Sequence, residues 1–333
     1  MSCQLIIPDS SMVEHAAVNR GVVGSSPTRG AGLRRAHSYM DVPFFVYGRI
    51  KMEINCFGDG LTEGRTGGCL MPYTRILEGF TGLKVNNYGI YGESSFTVGS
   101  RMGALPVTLL APMELNEKAG IKTPVALGDI FKQHVEMLMN AQTDGDDLVN
   151  PVLIDGIEGK LSRKDNVLYF ERKNDGDCVT IPAGTRVFTR LSGKNYSGDI
   201  NIFWVGTNDH ASTDNAIAVI SNLHAMIDFT GSDRYIVIGL TAKSVLPQLE
   251  EVNEMLSGEF GEHFYNFSAY VIGMPVSGEN NAFYEQDLKD VANGDIPTSL
   301  MKIPGTDHVH GNEKFYALLG AGIYGKLKSL NYI

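Results

Sequence analysis

Two stretches of the chain, residues 52 to 104 and 198 to 333, share one pattern: short apolar runs alternate with longer segments in which apolar positions recur every three or four residues. Glu53-Ile54-Asn55-Cys56-Phe57 predicts a strand that enters the turn Gly58-Asp59-Gly60 and then a helix opening on Thr62-Glu63-Gly64. Leu83 to Tyr88 repeats the unit, with Ser94 or Ser95 available to cap the helix that follows. Asp199 to Val205 predicts a strand, Ala216 to Ile227 a helix, Tyr235 to Gly239 a buried strand and Leu246 to Leu256 a second helix. Ser268 to Ile272 reads as a last strand before a C-terminal helix over Asn312 to Leu327. Strands alternating with helices imply an α/β protein whose parallel sheet is covered on both faces. Ligands of such sheets bind beyond the carboxyl ends of the strands, so residues just after strands draw the functional reading.

The pattern changes between residues 105 and 197. Runs such as Val152-Leu153-Ile154, Val167-Leu168-Tyr169-Phe170 and Arg186-Val187-Phe188, separated by turns like Asn174-Asp175-Gly176-Asp177, predict an inserted β-rich domain. One amphipathic helix is expected within it, near Ile130 to Asn140. Residues 1 to 51 show neither period, and are expected to be a disordered leader or the product of a misassigned start, with Met40 or Met52 the true one. Val22-Val23-Gly24-Ser25-Ser26-Pro27-Thr28-Arg29-Gly30 resembles a transfer-RNA gene read as protein.

Composition narrows the function. The 333 residues, 43% hydrophobic, suffice for one large core and a smaller second one. The leader is slightly basic, six Lys/Arg against three Asp/Glu, while the whole carries a formal charge of -10, which argues against a nucleic-acid surface. A small molecule or a glycan is the expected partner. Cys3, Cys56, Cys69 and Cys178 lack the paired spacing of metal sites or disulfide frameworks and read as reduced thiols. No apolar run approaches a membrane span and no export signal is recognisable, so a soluble protein is expected. Oligomeric state is not legible.

Asp307-His308-Val309-His310 puts a carboxylate three residues before an imidazole, a spacing that can fix the histidine tautomer and stabilise the imidazolium. His310 is thereby a candidate general base. Gly92 and Asn208 each follow a strand and can aim a backbone N–H and a side-chain amide at one point, as an oxyanion hole does.

These residues resemble the SGNH, or GDSL-type, hydrolases. Phe57-Gly58-Asp59-Gly60-Leu61-Thr62-Glu63-Gly64 is similar to that family's first block, normally Gly-Asp-Ser-Leu-Thr-Glu-Gly. Asn87-Tyr88-Gly89-Ile90-Tyr91-Gly92-Glu93-Ser94-Ser95 is similar to the second block, Gly206-Thr207-Asn208-Asp209 to the third, and Asp307 with His310 to the fifth. The segment Phe283 to Gly322 resembles a subgroup of bacterial and phage genomes with a β-rich insert between the second and third blocks, which adds a phage particle to the cytoplasm as a location.

The resemblance implies a flavodoxin-like three-layer α/β/α sandwich that hydrolyses esters, often acetyl groups on sugars or short acyl esters, with no metal and no cofactor. It implies that residue 60 supplies the nucleophile, His310 takes its proton, Asp307 orients the imidazole, and the N–H groups of residues 60 and 92 and the amide of Asn208 bind the oxyanion. Gly60 stands where the serine is expected, so an impaired enzyme is the leading expectation. A non-catalytic glycan-binding protein using the same cleft and the insert is the alternative.

The remaining candidates have blander readings. Thr62 sits on a helix turn, and Ser94 and Ser95 are better caps than nucleophiles, which leaves a water activated by His310 as the substitute. Arg101 reads as a solvated helix arginine, with a substrate carboxylate as its functional alternative. His308 reads as exposed, Trp204 as a packing residue, and Tyr169, Phe170, Phe188 and Tyr196 as core rather than a sugar-stacking platform. His210 and Asp209 either touch substrate or shape the loop.

Overall fold

A computed structural model describes residues 51–64, 71–135, 137, 148–279 and 281–333. The leader up to residue 50, with Cys3 and the proposed start Met40, lies outside the described residues, as does Cys69.

The chain runs through β1 (Ile54–Gly58), the single turn α1 (Gly60–Glu63), α2 (Tyr73–Thr81), β2 (Val85–Gly89) and α3 (Ser95–Met102). Among the described residues nine strands follow: β3 (Val107–Leu109), β4 (Met113–Leu115), β5 (Lys122–Pro124), β6 (Leu127–Gly128), β7 (Val152–Ile154), β8 (Ile157–Lys164), β9 (Val167–Arg172), β10 (Val179–Ile181) and β11 (Arg186–Phe188). Alternation of strands and helices then resumes with β12 (Ile200–Trp204), α4 (Ala216–Thr230), β13 (Tyr235–Ile238), α5 (Leu249–Phe260), β14 (Phe264–Tyr265), α6 (Phe267–Ile272), α7 (Tyr284–Ala292) and α8 (Glu313–Ser329).

The central sheet has the order β14-β13-β12-β1-β2, every pair parallel. Alternation along β12 explains the layers. Ile200, Ile202 and Trp204 join Leu77, Phe267, Phe315 and Ile323 in the core under α2, α6 and α8. Phe203 instead joins Phe57, Val98, Val219, Leu223 and Val252 under α3, α4 and α5. A strand buried on both faces must be apolar at nearly every position, which is why β12 reads Ile-Asn-Ile-Phe-Trp and not as an alternating strand.

Among the described residues, strands β3 to β11 form a seven-stranded sheet, β5-β9-β8-β7-β11-β3-β6, and a two-stranded ribbon, β10-β4. Their core of Val107, Leu127, Ile154, Leu161, Phe170 and Ile181 also takes in Ile90, with Phe96 packed against it. The β-rich part therefore rests on the segment that follows β2.

Two expectations fail. Ser268 to Ile272 is not a strand: Asn266 caps a helix there, its side chain accepting from Ala269 N at 3.0 Å, while Phe264–Tyr265 take the edge of the sheet beside Val237 and Ile238. The helix expected near Ile130 to Asn140 is absent over residues 130–135, where a turn and an antiparallel bridge from Gly128 to His134 stand instead. Glu136 and residues 138–140 lie outside the described residues. Among the aromatics, Phe170 fills the β-rich core, whereas Tyr196 packs edge-on against Phe57 in the parallel-sheet core. Tyr169 and Phe188 are half-buried, with the Arg186 guanidinium over the Phe188 ring at 4.9 Å. Among the described residues, Cys56 is a buried thiol and Cys178 an exposed one, and no helix is long and apolar enough to cross a membrane.

Candidate active site

The parallel register sets Gly58 opposite Gly89 on one side and Trp204 on the other, so the turn at residues 59–60 and the loops at 90–94 and 205–209 leave one edge of the sheet together. Two glycines make the crossing possible. A Cβ on Gly58 would collide with Thr62 Oγ1 and the Trp204 carbonyl, and one on Gly89 with the backbone of Glu63. α1 can therefore lie directly over the strand ends. Asp59 caps it, its Oδ1 accepting from Leu61 N at 2.9 Å, and Gly60 is its first residue. Gly60 is helical, so nothing in its backbone conformation demands glycine.

The Asn208 amide nitrogen donates to Asp59 Oδ2 and to the Glu93 carbonyl, both at 3.0 Å, and so ties together all three loops. Both hydrogens of that amide are engaged within the protein. Asp59 lies in the core, and burial, reinforced by the nearby charges of Asp209 and Glu93 and opposed by the Leu61 N–H, pushes its carboxyl up to about 7. The folded chain thus holds a proton that the unfolded chain releases above ~4. The corresponding stability is fully present below that pH and is lost as pH rises toward about 7. We expect unfolding free energy to fall across this window by up to roughly 4 kcal/mol from this group, at about 1.4 kcal/mol per pH unit. Urea titrations at several pH values should show Asp59→Asn flattening the slope, whatever it does to stability at any single pH.

Asp209 shapes the loop. Its carboxylate accepts from Ser95 N at 2.8 Å and Ser95 Oγ at 2.5 Å, and that hydroxyl accepts from Asn222 Nδ2 at 2.9 Å. The bonds clamp the start of α3 to the loop of Asn208, with a carboxylate at a helix N-terminus where the dipole favours it. Burial nevertheless holds Asp209 above the ordinary carboxylate range, against the pull of its Ser95 bonds. Asp209→Ala should lower stability by roughly 2–4 kcal/mol, as loss of charged hydrogen bonds does. In a urea-melt comparison, Ser95→Ala in the Asp209→Ala background should add little, because the partner is already gone.

Of the hydroxyls near Gly60, Thr62 is fully buried with Oγ1 3.4 Å from Tyr73 Oη. Ser94 caps α3 in a reciprocal pair with Thr97. Each is held in a structural bond. Arg101 departs from both of its expected readings: it is buried, its Nε and Nη2 donating to Glu93 Oε2 at 3.0 and 2.8 Å, and Nη2 also to the Tyr88 carbonyl at 2.7 Å.

Asp307 and His310 are bonded, Nδ1 lying 3.0 Å from Oδ2, and Asp307 Oδ1 accepts the backbone N–H of Val309 and His310 at 3.0 and 2.9 Å. Partial burial raises the Asp307 carboxyl, but these N–H groups and the imidazole outweigh it and hold the group below its ordinary value. The Asp307 carboxylate therefore stays ionised further to the acid side than an ordinary one, as an orienting carboxylate requires. Lys302 N donates to the His310 carbonyl at 2.9 Å, and Asn312 caps α8, whose Phe315 stacks on Trp204 at the end of β12. The helix that follows the pair is thereby packed on the end of β12. His308 is exposed and lines a small separate cavity with Thr241 and Asp295.

Gly92 and Asn208 line one cavity of about 480 Å³ with Tyr91, Glu93, Ser94, Phe96 and Thr97. Asp129, Gln133, His134 and Val135 from the β-rich part also line it. Sequence reasoning missed this wall because nothing local marks it; only the packing of Ile90 and Phe96 into the β-rich core brings it there.

No family model and no curated protein matches the chain. Among solved structures it is similar to a member of the lipolytic protein G-D-S-L family from Veillonella parvula DSM 2008, with 14% identity, 83% of this chain and 97% of that one covered, and a TM-score of 0.40. It is also similar to a candidate lipolytic protein of the G-D-S-L family from Desulfitobacterium hafniense DCB-2, with 13% identity, 83% and 100% covered, and a TM-score of 0.44. A gut microbial diltiazem-metabolizing enzyme matches at 11% identity, 83% and 47% covered, with a TM-score of 0.41.

Proposed function

We propose that the chain is an SGNH-type ester hydrolase for carbohydrate O-acetyl or short acyl esters, impaired because Gly60 occupies the nucleophile position, with residues 105–197 inserted between two parts of the hydrolase domain. The observation that supports the proposal is the hydrogen-bonded Asp307–His310 pair, beside a parallel register that brings the Gly60 turn and the Gly92 and Asn208 loops to one edge of the sheet. In this reading a hydroxyl at position 60 attacks the ester carbonyl, His310 takes its proton and returns it to the leaving alkoxide, and Asp307 holds the imidazole. The N–H groups of residues 60 and 92 face the developing oxyanion; Asn208 joins them by releasing Asp59 or the Glu93 carbonyl. The test is hydrolysis of p-nitrophenyl acetate by the chain and by Gly60→Ser: turnover only in the serine variant supports the proposal.

Gly60 itself favours a second reading, a glycan-binding protein that keeps the cleft without the chemistry. That reading predicts silence in both chains.

A further inference from the structure

We propose that the β-rich part supplies the substrate-recognising wall of the site: the loop at residues 129–135, which lines the 480 Å³ cavity together with Tyr91 and Phe96, binds the sugar portion of a neutral glycan. The inference rests on the ester-hydrolase reading for its position and extends it to the leaving group. The volume lies within the ~300–1,000 Å³ of small-molecule sites.

The wall is built before any ligand arrives. Asp129 Oδ1 accepts from Phe131 N at 2.9 Å and Gln133 N at 2.7 Å, and Asp129 N donates to the Gln133 carbonyl at 2.9 Å. Val135 N reaches the Leu127 carbonyl at 2.8 Å, with Val135 itself buried, so the loop is pinned at both ends. Its outward side chains, Gln133 and His134, are exposed. A pre-formed loop loses little conformational entropy on binding.

The chemistry of the lining selects the ligand. Among the described residues it contains no lysine or arginine, so it offers nothing to neutralise a phosphate or carboxylate. Gln133 and His134 instead present exposed amide and imidazole groups of the kind that pair with sugar hydroxyls, while Ser94 and Thr97 are bonded in the cap of α3 and Asp129 Oδ1 in the loop itself. Tyr91, 42% exposed, and the half-buried Phe96 give aromatic surface for the apolar face of a pyranose ring. Gly92 and Asn208 open into the same cavity, so a sugar held there carries its ester beside the proposed oxyanion donors.

Because Gly60 cannot attack, the chain as it stands can be titrated with uncleaved ligand. A panel of neutral oligosaccharides of two to four sugars, each with and without O-acetyl groups, is expected to yield at least one ligand by calorimetry. Gln133→Ala and Tyr91→Ala should each weaken it at least tenfold, with thermal midpoints showing both variants folded. Failure of every neutral glycan to bind, or binding indifferent to both substitutions, overturns the proposal. Its failure is separable from that of the hydrolase reading: p-nitrophenyl acetate turnover by Gly60→Ser without glycan binding sinks this inference alone. Glycan binding lost in both wall variants, with a silent Gly60→Ser, upholds the wall and sinks the hydrolase.

Discussion

Gly60→Ser is expected to hydrolyse p-nitrophenyl acetate at least about a thousandfold faster than the chain with glycine, under identical conditions. Removing the nucleophile from a comparable triad costs on the order of a millionfold in turnover, leaving roughly 10³–10⁴ over water from the oxyanion donors and binding. Putting the nucleophile back should reverse much of that loss, and a thousandfold allows for imperfect alignment. The local structure favours rescue. Residue 60 opens a capped helical turn, so serine brings no positive-φ strain, and its helix propensity exceeds that of glycine. His310→Ala in the serine background should return the rate to the glycine level, which separates a restored triad from a merely nucleophilic surface hydroxyl. Activity in both chains would point to a water activated by His310, since Thr62, Ser94 and Ser95 are held in the core, a cap and a clamp.

The legible parts of this protein are those whose determinants are local. Apolar density marked β1, β12 and β13 because strands buried on both faces leave no polar alternation, and Asp-x-x-His gave the acid–imidazole pair because its bonds close within four residues. Ser268 to Ile272 misled for the complementary reason. So short a run rich in apolar residues suits strand or helix alike, and the choice fell to the Asn266 cap and to pairing of Phe264–Tyr265 with β13, which only the fold supplies. The supposed helix near Ile130 has a helical apolar spacing, yet Ile130 and Phe131 are 65% and 76% exposed at a turn fixed by Asp129. Tertiary placement, not propensity, decides such a segment. The same limit hid the wall at 129–135 and the partner of Arg101, eight residues back at Glu93 across the loop that carries Gly92.

Arg101→Ala should be the most damaging single substitution to stability near the site, lowering unfolding free energy by about 3–5 kcal/mol, as breaking one partner of a buried ion pair does. The guanidinium is fully buried and Glu93 nearly so, and Arg101 binds that carboxylate through two nitrogens while also satisfying the Tyr88 carbonyl at the end of β2. Truncation leaves Glu93 charged without its principal counter-ion and the carbonyl without this donor. Urea unfolding measures the loss, and the double variant Arg101→Met with Glu93→Gln should recover most of it, because an uncharged pair carries no comparable desolvation penalty. Stability and function should then part company. The Glu93 carbonyl accepts from Asn208, and Arg101 is what anchors the Glu93 side chain between Gly92 and α3. In the Gly60→Ser background the double variant should therefore fold while hydrolysing esters more slowly, with kcat falling more than KM rises, as expected when a group that orients the oxyanion loops loses its anchor. Full recovery of both properties would make the ion pair a packing device with no hold on the site.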